Sequence, residues 1–275
     1  MRKRRIMALL TAFAVTFAMV ITVSTAQVNA AKTKYEVPSK AIVYSNDFVG
    51  ADPTMDNAKW EKGDVEKYDY KKGFVTRFDK LKCKWTINKK GKPTKVRAGS
   101  KKFGASSVGT YKNGKLKSNL FRVYNKKGSL VGKHNETYGY TKGWVSKVSG
   151  KINGYSYSAS YKYTFYKNGV PKKMTQKFKA YGETDKSVYY FNKKGLITKI
   201  KYDDFVIKYK YKYDEAGRVI EKIMLDDDMP LNKTIYKYDG KTTKDLKTYM
   251  AVMNSPDFDG AMRDVMPAVY PLLAK

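Results

Sequence analysis

The chain has 275 residues, with 56 Lys+Arg against 25 Asp+Glu, a formal net charge of +31 and 42% hydrophobic residues. A single Cys excludes an intrachain disulfide, and a single His excludes metal sites built from histidine clusters. Twenty-four Tyr against eight Pro mark an ordered chain, because disordered segments are poor in aromatic residues.

Residues 1–30 read as an export signal. Arg2, Lys3, Arg4 and Arg5 form its basic start, Ile6 to Val23 an uncharged and mostly apolar run, and Val28-Asn29-Ala30 a small-residue cleavage site. Cleavage is placed after Ala30; the competing reading is a retained anchor, since the run is near the shortest length that spans a bilayer. No Cys follows the run, which excludes a lipid-modified N-terminus, and no second apolar run of spanning length appears. The mature chain is expected to be secreted or associated with the cell envelope.

Residues 31–66 form an N-terminal segment in which Asp52-Pro53 marks a turn and Asp56 to Glu61 fits a helical turn. Residues 67–242 read as strands joined by tight turns. Near the start of this region Leu81, Cys83, Trp85 and Ile87 alternate with Lys82 and Lys84, which buries Cys83 on one face of a strand. The flanking lysines favour a thiolate and a reactive role only if the thiol is open to solvent. Over Tyr155 to Phe165 one parity is aromatic or Ala and the other is Ser, Lys or Thr. Over Phe205 to Tyr213 one parity is apolar or aromatic and the other mostly Lys. A period of two sends the two sets to opposite faces of a strand.

Between these runs a turn recurs: an aromatic or apolar residue, Asn or Asp, two residues, then Gly. It stands at Ile87-Asn88 to Gly91, Tyr124-Asn125 to Gly128, Phe191-Asn192 to Gly195 and Tyr213-Asp214 to Gly217, with shorter forms at Asn113-Gly114, Asn168-Gly169 and Asp239-Gly240. The Asn or Asp side chain bonds the turn backbone and Gly supplies the positive φ. The expected fold class is therefore all-β, a curled antiparallel meander of repeated β-hairpins with Tyr inside and Lys outside. Residues 243–275 close the chain as a short helical segment, with one helix over Thr243 to Met253 and a second over Gly260 to Leu273, interrupted by Pro267 and Pro271.

The stretch Tyr211-Lys-Tyr213-Asp214-Glu-Ala-Gly217-Arg218-Val219 resembles the YD repeat of RHS-type proteins, and Tyr236-Lys-Tyr238-Asp239-Gly240 is similar to a truncated copy. Tyr111-Lys-Asn113-Gly114 and Tyr166-Lys-Asn168-Gly169 also resemble the hairpins of bacterial MORN-type repeats. This resemblance implies stacked hairpins in a curled sheet, exported or envelope-associated, with no active site in the repeats. The enclosing shell of RHS proteins does not carry over to a chain this short.

Charge is uneven along the chain. Residues 31–79 hold nine basic and nine acidic side chains, residues 80–182 hold 26 basic and one acidic (Glu136), and residues 183–275 hold 17 and 15. A block of net +25 repels itself and attracts anions. Lysine dominates it, and lysine is a compact point charge without the planar fork that suits arginine to phosphate and base-edge recognition, so sequence-specific nucleic-acid binding is not expected. The partner expected is an anionic envelope polymer or an anionic membrane surface. Turn lysines Lys89, Lys90, Lys112, Lys115, Lys126, Lys127, Lys172 and Lys173 are the candidate contacts. The alternative is a carbohydrate-binding module in which Tyr155, Tyr157, Tyr161 and Tyr163 stack on sugars, against their plainer reading as core.

No catalytic residue, metal site or cofactor is expected. His134 lies between Lys133 and Asn135 with no visible orienting partner, and is read as part of a surface loop. Asp226-Asp227-Asp228 lacks the spacing of a calcium loop and reads as a solvated turn, while Asp257 and Asp259 read as helix caps. The oligomeric state is not legible.

Overall fold

The structure is a computed structural model and describes residues 34–46, 59–71, 74–78, 81–152, 155–243 and 246–254. The expected export signal with its cut after Ala30, the Asp52-Pro53 turn, the second helix over Gly260 to Leu273, and Asp257 and Asp259 lie outside the described residues.

The strands are β1 (Tyr35–Glu36), β2 (Lys40–Asn46), β3 (Trp60–Lys71), β4 (Phe74–Phe78), β5 (Leu81–Ile87) and β6 (Pro93–Ser100). After a 3₁₀ turn at Lys101–Phe103 come β7 (Ala105–Lys112), β8 (Lys115–Tyr124), β9 (Leu130–Thr141), β10 (Trp144–Ile152), β11 (Tyr155–Phe165) and β12 (Pro171–Ala180). The chain ends its strands with β13 (Glu183–Phe191), β14 (Ile197–Lys201), β15 (Val206–Tyr213), β16 (Val219–Asp226), β17 (Met229–Lys237) and β18 (Thr242–Thr243), followed by helix α1 (Leu246–Asn254). Trp60 and Glu61 open β3, so that end of the expected helical turn over Asp56–Glu61 is strand instead.

Every neighbouring pair from β2 to β17 is antiparallel, and β17 returns to β2 through Asn232↔Ser45 to Lys237↔Lys40, so sixteen strands form a closed barrel. This corrects the expected topology. The hairpins do not stack as independent repeats in an open, curled sheet; they are consecutive staves of one barrel, and the residues that resemble YD and MORN-type repeats are its turns. Closure pairs the last stave with the first, which removes the free edges an open meander would carry.

The turn chemistry is local and consistent. At Asn88, Asn192 and Asp214 the side-chain oxygen accepts the amide four residues on, and the Gly three residues on donates back to the Asn or Asp carbonyl at 2.9 Å. Gly91, Gly128, Gly195 and Gly217 all take positive φ. Because the order is an unbroken meander, turns leaving odd-numbered strands from β3 onward gather at one end of the barrel and turns leaving even-numbered strands at the other.

Side-chain parity then sorts the two faces. On β11, Tyr157, Ala159 and Tyr161 are buried while Ser160 and Lys162 are exposed. On β12, Met174, Gln176 and Phe178 are buried while Lys177 and Lys179 are exposed. A barrel of this strand number usually leaves an aqueous channel. Here the large side chains Tyr68, Tyr189, Tyr236, Leu116 and Met174 are fully buried and belong, Leu116 included, to one continuous core.

Candidate functional site

Three places concentrate polar chemistry: a buried row inside the wall, the helix-covered end, and a groove at the opposite rim. The buried row runs across four staves, Asn119 opposite Glu136, Glu136 opposite Gly150, and Gly150 opposite Tyr157. Gly150 has no side chain, so the Tyr157 ring lies over it and donates its hydroxyl to Glu136 Oε1 at 2.5 Å. Tyr138 donates to Glu136 Oε2, and Asn119 Nδ2 approaches the same oxygen at 3.5 Å. Ser107 donates to Asn119 Oδ1 at 2.8 Å. His134 Nε2 lies 2.6 Å from the Tyr157 hydroxyl, which already donates to Glu136, so the imidazole is the donor in that contact.

This overturns the surface-loop reading of His134. The residue sits within β9, 8% exposed, edge-on to Phe121. Burial lowers its pKa below the usual imidazole value, with Glu136 pulling the other way. Burial also raises the Tyr157 hydroxyl far above an ordinary phenol, reinforced by Glu136. The imidazole, the two phenols and Glu136 thus share one set of hydrogen bonds inside the wall. The signal in the sequence was that Glu136 is the one acid of the basic block, two residues from both His134 and Tyr138. A polar inward set on a polar strand conceals the alternation that aromatic strands display.

At the end where the odd-strand turns gather, α1 crosses the barrel. Lys247 Nζ donates to Gly143 O at 2.8 Å and stands 4.6 Å from the Trp144 ring centroid. Asn254 bonds both the Ile197 amide and the Gly195 carbonyl, and Met250 fills the space where a Cβ on Gly195 would lie, at 2.6 Å. At the helix C-terminus, Met253 O accepts from Lys222 Nζ at 2.9 Å and from the Tyr236 hydroxyl at 2.8 Å. A cation there meets the negative end of the helix dipole, which explains how Lys222 tolerates 1% exposure. The helix therefore ties β10, β14, β16 and β17 together at this end of the barrel.

The opposite rim carries a groove of about 500 Å³ between the 3₁₀ turn after β6 and the turn after β8. The Tyr124 amide donates to Gly104 O at 2.8 Å, which continues the β7–β8 ladder by one rung and sets these two turns side by side. Lys101 and Lys102 stand on one wall and Lys126 and Lys127 on the other, with Tyr124 and Gly104 between.

The eight candidate lysines do not converge. Lys89, Lys90, Lys112, Lys115, Lys172 and Lys173 lie at or beside turns at the helix-covered end, and Lys126 and Lys127 lie at the other. The candidate sugar platform also divides. Tyr157 and Tyr161 are buried in the core, Tyr163 is partly buried with its hydroxyl on Val145 O, and Tyr155 alone is well exposed. Cys83 is buried, and burial pushes its thiol pKa up, which opposes thiolate chemistry. Asp227 and Asp228 form the β16–β17 turn at positive φ, and Asp228 binds Lys208 at 2.9 Å.

No protein-family model matches the chain, and no curated protein matches it. Its fold is similar to that of solved porin-like proteins. One from Bacteroides vulgatus, 11% identical, superimposes with a TM-score of 0.50 over 75% of this chain and 100% of that one. Another, from Bacteroides uniformis, is 12% identical with a TM-score of 0.50 over 76% of this chain and 100% of that one. Closure into a barrel of this kind overturns the expectation of an exported hairpin-repeat protein that holds anionic polymer on one sheet face. It equally overturns the alternative of a carbohydrate-binding module built on open tyrosine rows.

Proposed function

We propose that the chain is a non-catalytic β-barrel of the cell envelope that works on the aqueous side of an anionic membrane surface and does not conduct across it. The observation carrying this reading is the polarity of the wall. A lipid-spanning barrel presents an apolar band about 25 Å tall outward and a polar interior. This barrel carries the reverse arrangement. Lys147, Lys162, Lys177 and Lys210 stand exposed in the middle of their strands, while the alternate positions feed the aromatic core. At roughly 2–4 kcal/mol for each lysine at the bilayer midplane, four would cost about as much as a whole domain's stability of roughly 5–15 kcal/mol.

The filled interior supports the same reading, because buried rings occupy the space a conduction path would need. A binding rather than catalytic role is supported by His134, the sole imidazole, which is buried with its Nε2 on the Tyr157 hydroxyl. The export signal expected at residues 1–30 supports an envelope address. The test is direct. Purified residues 31–275 should remain soluble without detergent, sediment with anionic but not neutral vesicles at low salt, and add no conductance to a planar bilayer. Detergent-dependent solubility together with stepwise conductance would reject the reading in favour of a membrane-spanning channel.

A further inference from the structure

We infer that the rim groove between the β6–β7 and β8–β9 turns is a binding site for a phosphomonoester or diphosphate group. Four ammonium groups, Lys101, Lys102, Lys126 and Lys127, are exposed around one groove of about 500 Å³. The only acid of residues 80–182 is Glu136, which faces the interior. Among the described residues none of these four lysines has a carboxylate within ion-pair distance, although Lys208, Lys212 and Lys241 elsewhere each have one. Uncompensated like charges held close together repel, and a bound multivalent anion relieves that repulsion.

Geometry makes the cluster a site and not a stretch of charged surface. The two turns are fixed to each other by the Tyr124 amide on Gly104 O, and each is closed internally, by Gly104 N on Lys101 O at 3.0 Å and Gly128 N on Asn125 O at 2.9 Å. Lysines arrive from both walls, so an anion between them is met from two sides. The groove is open on its outer side, so a bound anion would keep part of its hydration. Tyr124 adds a ring face, held by a 3.3 Å contact between its hydroxyl and Ser106 Oγ, with Lys101 Nζ 5.9 Å from its centroid. A phosphate would sit among the ammonium groups and its organic part against this ring. Lysine binds phosphate as a point charge, without the bidentate match of arginine, so the grip here comes from the number of ammonium groups and their placement on two sides.

This inference does not depend on where the barrel resides. The experiment is calorimetric titration of the mature chain with pyrophosphate at about 0.05 M and 0.3 M salt, a range over which the Debye length shortens from roughly 14 Å to 6 Å. The variant Lys101→Gln/Lys102→Gln/Lys126→Gln/Lys127→Gln should bind at least tenfold more weakly. A control with the same charge change on the wall, Lys147→Gln/Lys162→Gln/Lys177→Gln/Lys179→Gln, should differ from the parent by less than threefold. Circular dichroism and the thermal midpoint confirm that both variants fold. Equal losses in both, or no saturable binding by the folded parent, would overturn the site and leave only diffuse attraction. Phosphatidic acid vesicles, titrated in parallel, identify the source. Groove-dependent vesicle binding points to a lipid headgroup, and groove-dependent binding of pyrophosphate alone points to a free phosphorylated ligand. Vesicle binding that the groove variant leaves unchanged, with pyrophosphate also indifferent, would again overturn it.

Discussion

The staves from β5 to β12 and those from β13 to β17 use the same turns and the same inward parity, yet they treat charge in opposite ways. In the later staves wall cations find carboxylates: Lys212 binds Glu221 at 2.7 Å, Lys208 binds Asp228 at 2.9 Å, and Arg218 reaches both Asp214 and Glu36. In the earlier staves the one carboxylate is turned inward to Tyr138 and Tyr157, and the outer lysines face one another or aromatic rings, as Lys173 does over Tyr190. The inward architecture is thus common to both halves, and charge is a separate layer written on the outside. Stability comes from the shared core, while charge distinguishes what each half of the wall attracts.

The sharpest way to break that comparison is to disturb the core in each half. A Cβ at Gly150 would lie 2.5 Å from Asn135 O and 2.9 Å from the Tyr157 hydroxyl and ring, where backbone on one side prevents relaxation. Gly150→Ala should therefore cost about 3 kcal/mol or more, at the upper end of overpacking penalties, in urea denaturation. In the other half Gly195→Ala presses on the flexible Met250 side chain at 2.6 Å and strains a φ of +83. It should cost about 1–2 kcal/mol, and Gly195→Ala/Met250→Ala should recover part of the contact but none of the strain. Equal effects at the two positions would mean that the Tyr157–Glu136 row is not organised around the missing side chain.

A smaller effect separates the buried row from the rest by pH. The folded pKa of His134 is lowered, chiefly by burial, so the unfolded chain binds a proton more readily than the folded one. Its contribution to stability is complete above the unfolded pKa of about 6.5 and declines as pH falls below it. The urea midpoint should drop between pH 7.5 and pH 5.5, and His134→Gln should flatten that drop. An unchanged pH dependence in the variant would remove His134 as the cause.

Strand identity was legible because Tyr157, Ala159 and Tyr161 alternate with small polar and Lys residues, and turns because Asn88, Asn192 and Asp214 precede glycine at fixed spacing. Closure was not. The β17–β2 contact joins residues near 232–237 to residues near 40–45, and alternation is the same in a closed and an open sheet. The rim groove escaped for a related reason. Lys126 and Lys127 were visible as turn lysines, but their neighbours across the groove are Lys101 and Lys102, brought beside them by the β7–β8 hairpin that lies between in the chain. His134 reads as a loop residue in the sequence because its inward companions include the acidic Glu136, and a hydropathy pattern cannot separate a buried polar row from a loop.

The smallest effect tests the outer layer alone. Lys177 lies directly opposite Lys186 on the exterior, whereas Lys212 lies opposite Glu221. Cross-strand pairs of this kind contribute roughly 0.2–1 kcal/mol, favourable for opposite charges and unfavourable for like ones. Lys177→Gln should therefore raise the thermal midpoint slightly at low salt, and Lys212→Gln should lower it slightly. Screening acts on both, so the two variants should converge on the parent as salt rises toward 0.5 M. Shifts of the same sign in both would mean that the wall's charge acts only as a total, and that the division between paired and unpaired staves has no energetic consequence.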